Sequence, residues 1–177
     1  SAPDRLLLSY RHSADEWPWA YAARQAFQLG VGGLAITLEL ENQSDSDMPA
    51  GIGLHPYFPL RDARLSAEVA GVWLTDDEVM PTERVSPPEC WDLSGGAAVP
   101  GMAIDNGFDG WDGRAQIEWP ESDAGLTIVA ESPLINLVVF APPGGDFFCV
   151  EPVSHMTDAF NLAARGMAET GMRVLAP

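Results

Sequence analysis

Basic residues are scarce in this chain. Nine Lys and Arg stand against 26 Asp and Glu in 177 residues, a formal charge of −17. That balance repels nucleic acid and anionic membrane surfaces and leaves no basic patch to neutralise phosphates, so the expected ligand is neutral or cationic. Cysteine is scarcer still. Cys90 and Cys149 sit at unrelated spacing and in no CxxC or zinc-like cluster, which excludes a disulfide framework and reads as two reduced thiols of a cytoplasmic protein. No apolar run approaches the length of a membrane span. The opening "SAPDRLLLSYRHS" carries three consecutive leucines only, so neither a membrane helix nor a signal peptide is expected.

The chain does have enough apolar content, 46%, for a core of ordinary size, and its length fits one domain over residues 1–177. Short apolar or alternating segments recur between turn signals: "RLLLSYRH", "YAARQAFQL", "LAITLELEN", "ARLSAEVAGVWL", "RAQIEWP", "LTIVAES", "NLVVFAPP", "FFCVEP" and "GMRVLAP". This pattern is β. Leu34, Ile36, Leu38 and Leu40 recur with period two and are expected to pack inward, with Thr37, Glu39 and Glu41 facing water. "NLVVF", apolar on both faces, reads as a central strand. Fifteen prolines and seventeen glycines supply the corners of an all-β sandwich or barrel. Helical potential is confined to "MTDAFNLAARGMAET", where a short helix or none is expected.

Two polar residues sit badly in this apolar pattern. His55 lies inside "GLHPYFPL", followed by Tyr57 and Phe58, a pair that reads either as core or as the wall of a cleft, and Glu151 follows the apolar run "FFCV". A carboxylate in such company needs a partner or a cavity, because burying a lone charge is costly, and desolvation raises its pKa toward the range of a base working near neutrality. A buried structural ion pair is the competing reading. Asp105, in "AIDNGFDGWDG", lies in a run of turn formers. Calcium is not expected there, since the EF-hand spacing and terminal glutamate are missing. His155 is four residues past Glu151, but the intervening "PVS" argues against a helix placing both on one face. Cys149, mid-strand with no basic residue nearby in sequence, is expected to stay a protonated, inert thiol. The six tryptophans read as core or turn packing, with one or two available to stack on a sugar face.

In order along the chain, "WPWAYAARQAF", "MPAGIGLHPYFP", "WLTDDEVMPTERVSPP", "IDNGFDGWDG" and "DFFCVEPVSHMTDAFN" resemble the aldose 1-epimerase (galactose mutarotase) family, over nearly the whole length. The resemblance implies a large antiparallel β-sandwich with a sugar bound in an open cleft on one sheet. It implies that His55, the histidine of an H-x-Y-F motif, is the general acid at the ring oxygen. It further implies that Glu151 is the general base at the anomeric hydroxyl and that Asp105, of a D-x-x-F motif completed by Phe108, holds a sugar hydroxyl. No metal or redox cofactor is implied. The expected partner is a free, neutral sugar such as galactose or glucose, with no nucleic acid or membrane, and no oligomeric state can be read. The family's amino-terminal portion, with an arginine and a further histidine of the sugar site, has no counterpart here, and one more strand is expected beyond "GMRVLAP". A noncatalytic sugar-binding domain of the same fold is the alternative.

Overall fold

The computed structural model describes residues 4–177. Fifteen strands and one helix follow in chain order: β1 (Arg5–His12), β2 (Tyr21–Gly30), β3 (Gly33–Asn42), β4 (Met48–Ala50), β5 (Tyr57–Pro59), β6 (Arg64–Ala67), β7 (Gly71–Thr75), β8 (Pro81–Val85), β9 (Ala97–Ala98), β10 (Ile104–Asp109), β11 (Arg114–Trp119), β12 (Ala124–Val129), β13 (Asn136–Ala141), β14 (Phe147–Val153), α1 (Ala159–Ala164) and β15 (Arg173–Leu175). Every strand pairing is antiparallel, as the all-β reading requires. No helix of the described residues is long and apolar enough to cross a membrane.

The chain divides into two compact units, one running up to Ile52 and including Arg173–Pro177, the other spanning Gly53–Met172. The first holds a three-stranded sheet, β1-β2-β3, and the pair β15-β4. Register places Leu6, Phe27 and Ile36 in one cross-strand row, and Tyr10, Ala23 and Leu40 in another on the same face. The alternation expected of Leu34 to Leu40 is therefore present. Its inward packing is not: Leu34 is 54% exposed and Ile36, Leu38 and Leu40 are only half-buried. The side chains across the row, Leu6, Leu8 and Tyr10, are exposed as well.

The second unit is a sandwich. A six-stranded sheet, β5-β14-β13-β10-β7-β8, lies across a shared core from a four-stranded sheet, β12-β11-β6-β9. Period two decides who faces that core. Ala115, Ile117 and Trp119 of β11 are buried while Arg114, Gln116 and Glu118 are exposed; Leu137, Val139 and Ala141 of β13 point the same way. Burying side chains such as Leu65, Ile117, Leu137 and Phe148 contributes roughly 1.5–3 kcal/mol each. As expected, β13 is central, between β14 and β10.

The turn formers "IDNGFD" are a strand in full, β10. Ile104 and Phe108 take core positions, and their burial outweighs the local turn preference of Asp-Asn-Gly. Two-residue spacing then sends Asp105, Gly107 and Asp109 to the opposite, outer face of the sheet. The turn after β10 does require glycine: Gly110 has φ +63°, and a Cβ there would lie 2.4 Å from that of Ala70. The α-helix α1 is short, six residues, with Met156, Ala159 and Leu162 packed against Trp73, Phe160 and Met172.

Candidate functional site

Strand β14 is the spine of the site. Its inward residues Phe148 and Val150 belong to the core, so Phe147, Cys149, Glu151 and Val153 share the outer face. Glu151 lies within the strand, two residues before its end, rather than terminating it. Register extends the outer face sideways. Cys149 stands opposite Tyr57 on β5 and Phe140 on β13, and Phe140 in turn stands opposite Asp105 on β10. One step along, Glu151 stands opposite Val138, and Val138 opposite Gly107.

His55 reaches this face from the segment leading into β5. Gly53 bridges to Val153, and the Leu54 N–H donates to the Pro152 carbonyl at 3.0 Å, which pins the segment along β14. The imidazole Nε2 then lies 3.2 Å from Glu151 Oε1. The two partners sit in different surroundings. His55's side chain is 52% exposed and Glu151's only 11%. Sequence alone left open whether these residues meet; the structure brings them into contact.

Burial pushes the Glu151 carboxyl up to about 7, with the His55 charge pulling it down and Asp105 pushing it further up. Asp105 is also raised, by its own desolvation, with His55 opposing. The three expected site residues therefore sense one another on one sheet face. Phe108, the last residue of the D-x-x-F motif, points the other way and is a core residue, 1% exposed. Its contribution is to hold β10 in register.

Cys149 corrects one expectation. No basic residue is near it in sequence, yet the cross-strand fold sets His55 beside it: the side-chain ligand atoms of His55, Cys149 and Glu151 all lie within 4.8 Å of one another. The thiol remains protonated all the same, pushed up to about 11 by burial and then by the charges of Glu151 and Asp105. His155 does not take the imidazole's place beside Glu151. Its Nδ1 lies 3.1 Å from Ser154 Oγ, its ring stacks on Phe160, and burial lowers its pKa.

The sequence left Tyr57 as either a core residue or the wall of a cleft, and it did not single out Arg84 or Asp109. Tyr57, 63% exposed, stacks flat on His55 with ring centroids 4.9 Å apart and planes at 17°, and is itself backed by Phe147 at 5.1 Å. Farther along, Arg84 grips Asp109 with two hydrogen bonds of 2.6 Å, and Trp73 Nε1 donates to the same carboxylate at 3.1 Å. The signal available for Asp109 was its spacing from Asp105 and Gly107 at period two, hidden by their turn-forming chemistry. Among the tryptophans, Trp111 and Trp119 are core residues, whereas Trp73 packs beside α1.

Comparison with known proteins adds a second line of observation. The family model described as aldose 1-epimerase matches residues 3–177. The uncharacterized protein YphB of Escherichia coli (strain K12) is 34% identical over 164 residues, covering 88% of this chain and 56% of that protein. Among solved structures, a putative aldose 1-epimerase from Escherichia coli K12 superposes with a TM-score of 0.88 at 32% identity, over 100% of this chain and 62% of that one. A galactose mutarotase-like protein from Clostridium acetobutylicum gives a TM-score of 0.83 at 20% identity, over 98% of this chain and 58% of its own, a likeness of fold. The chain thus spans somewhat over half the length of each of these proteins.

Proposed function

The chain belongs to the aldose 1-epimerase family, and on that premise we propose that it interconverts the α and β anomers of a free hexose, such as galactose or glucose, by acid–base ring opening at His55 and Glu151. The observation that carries this reading is the 3.2 Å meeting of a half-exposed imidazole with a desolvated carboxylate on the outer face of a packed sheet.

The reaction explains why these two groups converge. The anomeric hydroxyl O1 and the ring oxygen O5 are bonded to the same carbon, so a base for one and an acid for the other must work within a few ångströms. Glu151 takes the proton from O1 while protonated His55 delivers one to O5, and the C1–O5 bond breaks to give the open aldehyde. Rotation about C1–C2 presents the other face of the carbonyl. O5 then attacks C1, returning its proton to His55, and O1 regains the proton held by Glu151. Each group ends as it began. Burial serves the first step, because a carboxyl raised to about 7 is a stronger base than an ordinary one while a substantial fraction of it stays ionised near neutral pH.

Asp105, on the same face and half-buried, is suited to accept a hydrogen bond from a sugar hydroxyl. Neutral sugar is the class that fits, given the formal charge of −17 and a site whose carboxylates repel an anionic phosphate.

The test is anomer exchange by magnetisation-transfer NMR on galactose and glucose, with the chain beside its Glu151→Gln variant. Exchange above the buffer rate that disappears in the variant supports the assignment. Buffer-rate exchange in both, with sugar-dependent shifts on the folded chain, would reject it in favour of a sugar-binding domain.

A further inference from the structure

Cys149 is a metal-ligating side chain of the site that the ring-opening steps leave unused. It is fully buried, two positions before Glu151 on the same face of β14, and directly opposite Tyr57. Tyr57 holds the imidazole of His55 flat against itself, so that the ring sits over β14 with Nε2 directed at Glu151. Nitrogen, sulfur and carboxylate oxygen thus converge from β14 and from the segment leading into β5, within 4.8 Å of one another.

That donor set suits a soft divalent ion. Zn²⁺ takes imidazole nitrogen and carboxylate oxygen at about 2.0–2.2 Å and thiolate sulfur at about 2.3 Å, and sites with three protein ligands keep the fourth position for water. Ligand atoms around such an ion stand roughly 3–4 Å apart, so side-chain shifts of about an ångström close the site. Mg²⁺ and Ca²⁺ prefer six or more oxygens and gain nothing from the thiol. On the reading that His55 and Glu151 are the acid and base, we propose that Zn²⁺ binds His55 Nε2, Glu151 and Cys149 Sγ and shuts the enzyme by occupying both catalytic groups. The ion is an inhibitor here and has no part in turnover. Binding replaces the thiol proton: the S–H bond breaks, an S–Zn bond forms, and one proton leaves to solvent. The nearby carboxylate of Asp105 adds negative potential that favours the cation.

The experiment is a calorimetric titration of the full chain with ZnCl₂ in chelator-free buffer, paired with anomer exchange at the same Zn²⁺ concentrations. One ion per chain at micromolar affinity is expected, with exchange falling in step and returning on addition of EDTA. Cys149→Ser should weaken binding at least tenfold and shift inhibition equally, relative to its own rate without metal. His55→Asn, at a more exposed position, gives a second variant for the calorimetric arm alone, with Zn²⁺ binding again weakened at least tenfold. Mg²⁺ to millimolar concentration should leave exchange unchanged. Zn²⁺ affinity unaltered by both variants would place the ion on surface carboxylates and overturn the proposal. Should the chain fail to exchange anomers yet bind one Zn²⁺ that the variants release, the metal site stands and the mutarotase reading falls. Exchange that depends on Glu151 but is untouched by Zn²⁺ sinks the metal site alone.

Discussion

The ring of Tyr57 lies parallel to the imidazole of His55, 17° between planes and 4.9 Å between centroids, and Phe147 braces the phenol from behind. An imidazole with half its surface in water would otherwise be free to turn away from Glu151. Misplacing an acid by about an ångström can cost on the order of 10²-fold in rate. Tyr57→Ala is therefore expected to lower kcat for anomer exchange by about 10–100-fold, and Tyr57→Phe, which keeps the stacked ring, by no more than about threefold. Steady-state exchange rates of the two variants decide it; equal losses in both would assign the role to the hydroxyl instead.

Glu151 is stored at a cost to stability. Its pKa in the folded chain is about 7 against an ordinary 4.5, so folding holds its proton more tightly than the unfolded chain does. The stability tied to that proton is fully present below about pH 4.5 and is lost as pH rises through about 7. Glu151→Gln removes the penalty. At pH 8 the variant should unfold with a free energy about 1–3 kcal/mol larger than wild type, and at pH 4 the gap should close, by denaturant titration at both pH values.

The same group sets the acid side of the rate profile. As base, Glu151 must be ionised, so on the acid side kcat/KM for exchange should rise about tenfold per pH unit until pH nears about 7. A plateau reached by pH 5 would mean that the working carboxylate is an ordinary exposed one.

Gly107 leaves a gap on the outer face, in the row that leads through Val138 to Glu151. A Cβ there would meet only Val138 Cγ2, at 4.0 Å, and its φ does not lie in the left-handed region, so the fold accepts a side chain. Gly107→Val is expected to change stability by less than about 1 kcal/mol while raising KM for the sugar about tenfold or more, by filling space above the sheet. Thermal melts and sugar-dependent exchange rates measure the two effects separately.

Much of the architecture could be read along the chain because two-residue periodicity is a local property. Ala115, Ile117 and Trp119 declare a buried face of β11 without reference to anything else, and "NLVVF" declares a central strand. The reading failed where local chemistry and burial disagree. Asp105 to Asp109 carry turn formers yet run as a strand, since Ile104 and Phe108 gain more from the core than Asp-Asn-Gly gains from a turn. Leu34 to Leu40 alternate as a buried strand does, yet alternation states only that one face is apolar, not that anything covers it.

By itself the sequence determined the all-β class, an anion-repelling surface, and the oddity of His55 and Glu151, because composition, period and the cost of a lone buried charge are all readable one segment at a time. That histidine and that glutamate lie 96 positions apart in the chain. Only the tertiary structure decided that they meet at 3.2 Å, that Cys149 joins them, and that Tyr57 rather than His155 attends the pair. Those facts depend on which strand pairs with which and in what register, and register is fixed by the packing of the whole sheet rather than by any one stretch of chain.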